Sequence, residues 1–362
     1  LEHELLGLLV QNLERLDESE ETDRQGVFKI LGIFENLLSL EPTLAKNIAL
    51  KTNLASWLLK RIQQKEFDSN RGYAAELISI LLQEYHDARI KFCELDAIDT
   101  ILRVLAFYKR KDPNEEDEAE MVENLFNSLV SLLNEAKGRS LFFEGEGIEL
   151  MLIMLKEKTT LARIKAVKVL NYAMTSEIGH DSCIRFGIKK LKKIHKSFVE
   201  QEDEEHILCI LLSLLRHLSS NDVQRLRVIH KFIEDDYEKV DRLIEIKQFY
   251  EEKDQTVRQL IEEDIKKMDP EDFDEIIKEE FNIRRLNSGL YILQRVCLIL
   301  AVLCAENEGI AAKADLLLDR QNMDRSSIMN IIEEETAVLA DFVNLRKTAM
   351  GIPITAFNKD KE

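Results

Sequence analysis

Four consecutive residues near the middle of the chain, Asp203-Glu204-Glu205-His206, have the residue order of the DExH box of helicases. In such enzymes this box works beside a G-x-x-x-x-G-K-[ST] loop that holds the nucleotide phosphates. The sequence contains no such loop. We therefore interpret these residues as a solvated acidic link that precedes a helix.

Two His-x-x-Cys pairs, His180/Cys183 and His206/Cys209, have residue types and a spacing that suit zinc. Residues three apart share one helix face, so a complete site would have to join two helices. Cys209 lies in an apolar run and His180 in a polar link, which favours a buried thiol and a solvated imidazole. The chain also lacks a G-x-S-x-G nucleophile turn. We expect no metal, no cofactor, no catalytic residue and no enzymatic activity.

Two further features have structural interpretations. Gly145-Glu146-Gly147 shares two glycines with a dinucleotide-binding fingerprint, but the third is missing and Glu146 would face the pyrophosphate, so we predict a turn. The single tryptophan, Trp57, is followed four residues later by Arg61. Importin grooves instead repeat Trp-x-x-x-Asn, which stacks lysine stems on indole rings. We predict that Trp57 is a core residue and that any basic peptide is bound through carboxylates.

Acidic clusters are the candidate partner-binding residues. One forms a link beside the third repeat and the other lies beside the fifth. A cleft with charges of one sign attracts ligands of the opposite sign, although a charge run is often only a solvated surface. The candidates are Glu115, Glu116, Asp117, Glu118, Glu120, Glu202, Asp203 and Glu204.

The only basic cluster is Lys189-Lys190-Leu191-Lys192-Lys193-Ile194-His195-Lys196. Leu191 and Ile194 place it on a helix of the fourth repeat whose lysines line the solvated face. A localisation signal, an RNA phosphate contact and a site for an acidic partner are the functional alternatives.

The composition indicates which elements position these residues. Only 12 glycines and 4 prolines occur in 362 residues, which is too few for a turn-rich β or α/β fold and favours helices. The 50 basic and 68 acidic residues give a net charge of −18, which disfavours direct nucleic-acid binding. The longest near-continuous apolar run, Val296 to Ala305, is about half of a membrane span. Five cysteines without a C-x-x-C pair are typical of reduced thiols in the cytosol or nucleus.

The chain contains an internal repeat: a leucine-rich helix, a short polar link and a second apolar helix follow one another. Successive units are 44, 50 and 40 residues apart, in the range of armadillo and HEAT repeats. Each unit alone leaves an apolar face exposed, so neighbouring units must stack into a solenoid. The paired positions, always 16 residues apart, are Leu38/Leu54, Leu82/Ile98, Leu132/Ile148 and Tyr172/Ile188.

The repeat becomes less regular after residue 200. Residues 251–280 hold 13 acidic and 5 basic side chains, which indicates an exposed helix or a partly mobile insertion. The apolar pattern resumes at Phe281. We predict an N-terminal capping helix region over 1–27, four armadillo-like repeats over 28–199, an irregular fifth repeat with an acidic insertion over 200–280, and a C-terminal helical repeat and cap over 281–362.

Several short segments together resemble one known family. They are Leu1-Glu2-His3-Glu4-Leu5-Leu6, Trp57-Leu58-Leu59-Lys60-Arg61, Glu123-Asn124-Leu125-Phe126, Glu144-Gly145-Glu146-Gly147, Glu238-Lys239-Val240-Asp241-Arg242-Leu243, and Glu280-Phe281 through Arg284-Arg285-Leu286. The chain resembles the beta-catenin-like protein 1 family of nuclear, armadillo-type, spliceosome-associated proteins, as a diverged relative. The resemblance implies a solenoid with helical caps, membership of the splicing complex built around the Prp-nineteen ubiquitin ligase, and binding of basic, nuclear-localisation-like peptides.

These observations predict an all-α, armadillo/HEAT-like, right-handed superhelical solenoid with helical caps at both ends. The predicted function is a non-enzymatic scaffold in the nucleus that docks basic segments of splicing-factor proteins in pre-mRNA splicing. An importin-like nuclear transport adaptor is the alternative. We expect no direct nucleic-acid partner and no membrane, and a homodimer is compatible with the sequence.

Overall fold

The computed structural model describes residues 2–156, 161–174, 201–218, 223–268 and 275–334, and every regular element among them is helical. The chain divides into two compact units, Leu1–Val199 and Glu200–Glu362. The all-α prediction is therefore confirmed. The predicted subdivision into four segments stays a prediction.

The first unit is a succession of long and short helices. A 3₁₀ turn over Ala106–Tyr108 follows the seventh helix. The helices are α1 (Glu2–Arg15), α2 (Glu21–Leu40), α3 (Leu44–Lys51), α4 (Leu54–Arg61), α5 (Ser69–Leu82), α6 (His86–Glu94), α7 (Ala97–Leu105), α8 (Glu116–Leu133), α9 (Ala136–Glu144), α10 (Gly147–Met154) and α11 (Leu161–Ala173).

The repeat contains three helices, not the two that the sequence predicted. The segments interpreted as short polar links hold the short helices α3, α6 and α9. Their apolar residues are few, and α6 has only Ala88, Phe92 and Cys93 buried, so their helical pattern was weak in the sequence. Each repeat is thus two short helices followed by a long one, as in α6, α7 and α8.

The leucine register is confirmed for the first three repeats; of the fourth pair, Tyr172 is half-buried and Ile188 lies outside the described residues. Leu38, Leu82 and Leu132 are at most 3% exposed, at the ends of the long helices α2, α5 and α8. The long helices pack in succession, α5 against α2 and α8, and α8 against α11. Burying one leucine side chain stabilises the folded chain by about 1.5–3 kcal/mol, so this stack holds the repeats together.

An arginine at the same position of two repeats closes the end of the preceding long helix. Arg89, the fourth residue of α6, donates from Nη1 to the carbonyls of Leu82 (3.2 Å) and Gln83 (3.0 Å). Arg139, the fourth residue of α9, donates in the same way to Leu133 (2.7 Å) and Asn134 (3.0 Å). The last carbonyls of a helix have no partner within the helix, so these guanidinium groups satisfy them.

The second unit is built around a buried apolar helix. A further helical segment covers 326–334. The helix α15 packs against α12 and α13, and α13 also packs against α16. The helices are α12 (Gln201–His217), α13 (Val223–Lys267), α14 (Glu275–Asn287), α15 (Leu290–Glu306) and α16 (Glu308–Asp319).

Helix α13 is interrupted near its start. Glu234 is extended, and Asp235, Asp236 and Tyr237 have left-handed backbone angles. Gly309 provides the space for Tyr237, because a Cβ at position 309 would collide with the tyrosine hydroxyl. The part of 251–280 that lies in α13 is an exposed helix, as one of the two predicted alternatives states, with Asp254 and Ile261 as its buried residues.

No single helix among the described residues is long and apolar enough to cross a membrane. The bent pair Ile276–Asn287 and Leu290–Glu306, at 68° to each other, meets the length and composition criteria only when the two are taken together.

Candidate functional site

A groove runs between the long helices of the first unit, and we call it the long-helix groove. It has a volume of about 270 Å³ and is lined by residues of α5 and α8, with Phe28 of α2 and Phe67 beside them. None of the lining residues is basic. They are Phe28, Phe67, Ser69, Gly72, Tyr73, Glu76, Asp117, Glu120, Met121 and Asn124.

One wall of the groove is aromatic. The rings of Phe28 and Tyr73 contact each other edge to face, with centroids 5.1 Å apart. The Tyr73 hydroxyl donates to Glu35 Oε2 at 2.5 Å, which fixes the ring. This hydrogen bond, together with burial, raises the pKa of Tyr73 to about 12, so the hydroxyl remains a donor. Gly32 allows the Tyr73 ring to pack closely on α2, because a Cβ at position 32 would lie only 3.3 Å from the tyrosine hydroxyl.

The groove also has an acidic lining, with Glu76 on α5 and Asp117 and Glu120 on α8. The side chains of Glu76, Asp117 and Glu120 form no hydrogen bond or ion pair with any residue that the structure describes. Burial and the nearby charges of Glu35 and Glu120 raise the pKa of Glu76. The smaller, electrostatic part of this shift reflects repulsion from Glu35 and Glu120, and a bound cation would relieve that repulsion.

The structure brings two of the predicted partner-binding residues into the groove, Asp117 and Glu120. Glu115 and Glu116 are exposed just before them, at the start of α8. Glu118 instead accepts hydrogen bonds from the Tyr108 hydroxyl (2.9 Å) and the Asn114 backbone N–H (2.8 Å), which fixes the start of α8. Its carboxylate is therefore occupied within the chain.

The second predicted cluster lies in the other unit. Glu204 accepts hydrogen bonds from Arg242 Nη2 at 2.7 Å and from the Tyr250 hydroxyl at 3.2 Å, so its carboxylate connects α12 to α13. Glu202 and Asp203 belong to the first turn of α12, and their side chains lie outside the described residues. The interpretation of the DExH letters as a link before a helix is wrong, because α12 already begins at Gln201.

Sequence reasoning missed the groove residues Phe28, Tyr73 and Glu76. A signal for them existed in the repeat register. Phe28 lies ten residues before Leu38, and Tyr73 nine residues before Leu82. Extending that register towards the start of each long helix would have placed both aromatic residues within one turn of each other on neighbouring helices, without predicting their contact.

The other sequence motifs have structural roles where they are described. Glu146 has a left-handed backbone and a Cβ at Gly147 would collide with Phe142, which confirms a turn at this motif. Trp57 is half-buried rather than fully enclosed, so it is not the core residue that the sequence predicted. It lies on the short helix α4, between the buried residues Ala55 and Leu58.

The candidate zinc residues are only partly covered by the structure. His206 is buried, and Cys209 Sγ lies 3.5 Å from the Tyr291 hydroxyl. His180, Cys183 and the basic cluster over 189–196 lie outside the described residues. Among the residues that are described, no three His, Cys, Asp or Glu side chains are placed to share a metal ion. No disulfide joins the described thiols Cys93, Cys209, Cys297 and Cys304.

Stacked three-helix repeats with a groove along their long helices define an armadillo-type helical repeat protein. The fold is similar to the crystal structure of an engineered protein, with a TM-score of 0.51, 12% identity, and coverage of 80% of this chain and 96% of that one. A designed armadillo repeat protein aligns with a TM-score of 0.48 at 12% identity, over 77% of this chain and 98% of its own.

The family model described as "Catenin-beta-like, Arm-motif containing nuclear" matches residues 1–333, and the chain belongs to this family of nuclear proteins. It is 39% identical to beta-catenin-like protein 1 of Homo sapiens, over 93% of this chain and 62% of that protein. The beta-catenin-like protein 1 homolog of Schizosaccharomyces pombe is 35% identical, over 88% of this chain and 57% of that protein. The chain thus spans about three fifths of the length of these relatives.

Proposed function

We propose that the protein is a non-enzymatic interaction scaffold of the spliceosome, which docks basic, nuclear-localisation-like segments of splicing factors in the long-helix groove. The splicing context rests on the family resemblance. The docking rests on one observation, the three groove carboxylates Glu76, Asp117 and Glu120, which have no cationic partner in the described part of the chain.

The charge of the groove supports a basic partner. A lysine or arginine that enters it meets Glu76, whose pKa is already raised by burial and by neighbouring carboxylates, and the cation would lower it again. The methylene stem of the same side chain would pack on Phe28 and Tyr73. The contact remains partly open to water, so we expect modest affinity that falls as salt rises.

The experiment is the titration of a fluorescent, lysine- and arginine-rich peptide at several salt concentrations. The test variant combines Glu76→Gln, Asp117→Asn and Glu120→Gln. The matched control combines Glu262→Gln, Glu263→Gln and Glu279→Gln, three exposed residues of the second unit, and changes the net charge by the same amount. We expect the groove variant to bind about tenfold more weakly, since each exposed ion pair contributes roughly 0.2–1 kcal/mol.

The control variant should bind nearly as well as the unmodified protein. Binding that does not depend on salt, or an equal loss in both variants, would refute the carboxylate groove as the docking site.

A further inference from the structure

The long-helix groove is more aromatic than a purely electrostatic site requires. Phe28 is 46% exposed, although a free phenylalanine ring gains from burial. Phe67 and Tyr73 are half-buried beside it, and Met121 adds a polarisable thioether. The Phe67 ring lies within ordinary van der Waals distance of Gly72, at 3.5 Å from the position of a Cβ there. The groove therefore offers ring surfaces and carboxylates to the same ligand atom.

The size of the groove suits one side chain. An apolar cavity of about 150 Å³ already admits benzene, and the groove has about 270 Å³. It can therefore take a cationic head group with attached methyl groups, whereas a folded element would not fit. Phe28 and Phe67 carry no polar group, and the Tyr73 hydroxyl is already donated to Glu35.

Three cations would meet this lining differently. Arginine is best held by a fork of hydrogen bonds to carboxylates, and an unmodified lysine head is strongly hydrated. Methylation of lysine retains the positive charge and replaces N–H donors with methyl groups. Quaternary ammonium groups are recognised by aromatic faces. In this groove three carboxylates supply the opposite charge, and this attraction does not require an N–H donor on the ligand.

This reasoning rests on the proposed function and makes it more specific. We propose that the long-helix groove binds one methylated lysine of the docked basic segment in preference to the unmodified lysine. The carboxylates of Glu76, Asp117 and Glu120 select a positively charged ligand. The rings of Phe28, Phe67 and Tyr73 select a head group that carries methyl groups.

The test uses two fluorescent basic peptides that are identical except for one central lysine, which is trimethylated in the second peptide. Each is titrated against the protein at low and physiological salt. We expect the trimethylated peptide to bind about two- to fivefold more tightly, the effect of one exposed cation–π contact. Since both peptides carry equal charge, both affinities should fall with salt while their ratio stays constant.

Two variants separate the aromatic contribution from folding. Phe28→Leu should bring the ratio of the two affinities close to one. It should weaken the trimethylated peptide more than the unmodified one, because leucine can still pack on the lysine stem but has no aromatic face for the quaternary ammonium group. Phe107→Leu is the control, because Phe107 is 66% exposed in the same unit and does not line the groove. It should retain the preference.

The outcomes distinguish the two proposals. If both peptides bind with salt dependence but the trimethylated one binds equally or more weakly, the methyl-lysine proposal is overturned and the basic docking groove stands. If Phe28→Leu and Phe107→Leu change the ratio equally, the aromatic wall is not the cause and the proposal is likewise overturned. If neither peptide binds, both proposals fail.

Discussion

At the scale of single residues, the carboxylates of this chain fall into two groups. Glu118, Glu204 and Asp254 each accept hydrogen bonds within the chain. Their donors include Tyr108, Arg242 and Arg285, respectively. Glu76 and Asp117 have no such partner among the described residues. A carboxylate that is neutralised internally adds to stability, whereas one without a cation is available for a ligand. The sequence alone could not separate the groups, because both occur in equally acidic segments.

The most buried member of the first group is Asp254, which is 2% exposed. It accepts from Arg285 Nε at 2.8 Å and from Arg258 Nε at 2.7 Å. Both arginines also contact Glu334, which ties the segment 326–334 to α13 and α14. Burial alone would raise the pKa of Asp254, but the hydrogen bonds from Arg285 and Arg258 outweigh it and the pKa is lowered.

We predict that Asp254→Asn lowers the free energy of unfolding at pH 7 by about 3–5 kcal/mol, because it leaves buried arginine charge insufficiently paired. A lowered pKa in the folded state gives stability that is present above the unfolded value, about 3.9, and is lost as pH falls through the folded value. The difference between the variant and the unmodified protein should therefore shrink below pH 4. Urea unfolding followed by circular dichroism between pH 7 and pH 2.5 measures it.

The control for this prediction is Asp315→Asn. Asp315 pairs with Arg325 at 2.5 Å, but both side chains are about half exposed. The loss there should be at most about 1 kcal/mol. Equal losses for the two variants would show that burial of the Asp254 cluster adds nothing to its stabilising effect.

At the scale of elements, the short helix α9 is positioned by close contact with α8. Gly138 lies where a Cβ would collide with the backbone carbonyl oxygen of Leu132, the same leucine that marks the repeat. A backbone oxygen has no alternative rotamer, so α9 as a whole would have to move. Arg139, the next residue, caps α8 through two carbonyls and would be displaced with it.

We predict that Gly138→Ala destabilises the protein by about 1–3 kcal/mol, the usual cost of an overpacked contact. Gly7→Ala is the matched helical control, since nothing lies within 4 Å of a Cβ at that position of α1. There the substitution should stabilise by about 0.5–1 kcal/mol through helix propensity. Thermal unfolding of both variants gives the comparison, and stabilisation by Gly138→Ala would contradict the close packing of α9 on α8.

Elements with a strong apolar period were predictable, and elements defined by packing were not. The long helices α2, α5 and α8 each bury several apolar side chains, and Leu38, Leu82 and Leu132 already marked their ends in the sequence. The short helices α3, α6 and α9 bury few side chains and are held by neighbours, so their sequences looked like links. For the same reason, the sequence predicted the charged residues of the groove but not its aromatic residues. Asp117 and Glu120 were visible as charges, whereas Phe28 and Tyr73 meet only through the stacking of α2 on α5.

At the scale of the whole molecule, the net charge of −18 acts differently from the local carboxylates. Charge at the rim of a binding surface mainly steers the approach of a partner and changes the association rate. Groups that contact the bound ligand mainly change the dissociation rate. Because the Debye length is about 8 Å at physiological salt, only charges near the groove can steer effectively. The groove lining includes no described acidic residue of 251–280, so we expect the 13 carboxylates of that segment to contribute less than Glu115 and Glu116, which directly precede the groove residue Asp117.

The last prediction compares two pairs of charge reversals. Glu115→Lys with Glu116→Lys alters exposed residues directly before Asp117, whereas Glu262→Lys with Glu263→Lys alters exposed residues of α13. Each pair raises the formal net charge by four, from −18 to −14. We expect the first pair to slow the association of a basic peptide several-fold at low salt, to leave the dissociation rate nearly unchanged, and to lose this effect at high salt. The second pair should alter neither rate appreciably. Stopped-flow fluorescence at several salt concentrations separates the two rates, and circular dichroism checks that each variant keeps the helical content and the thermal stability of the unmodified protein. An equal slowing by both pairs would mean that the total charge, and not the rim of the long-helix groove, directs the partner to its site.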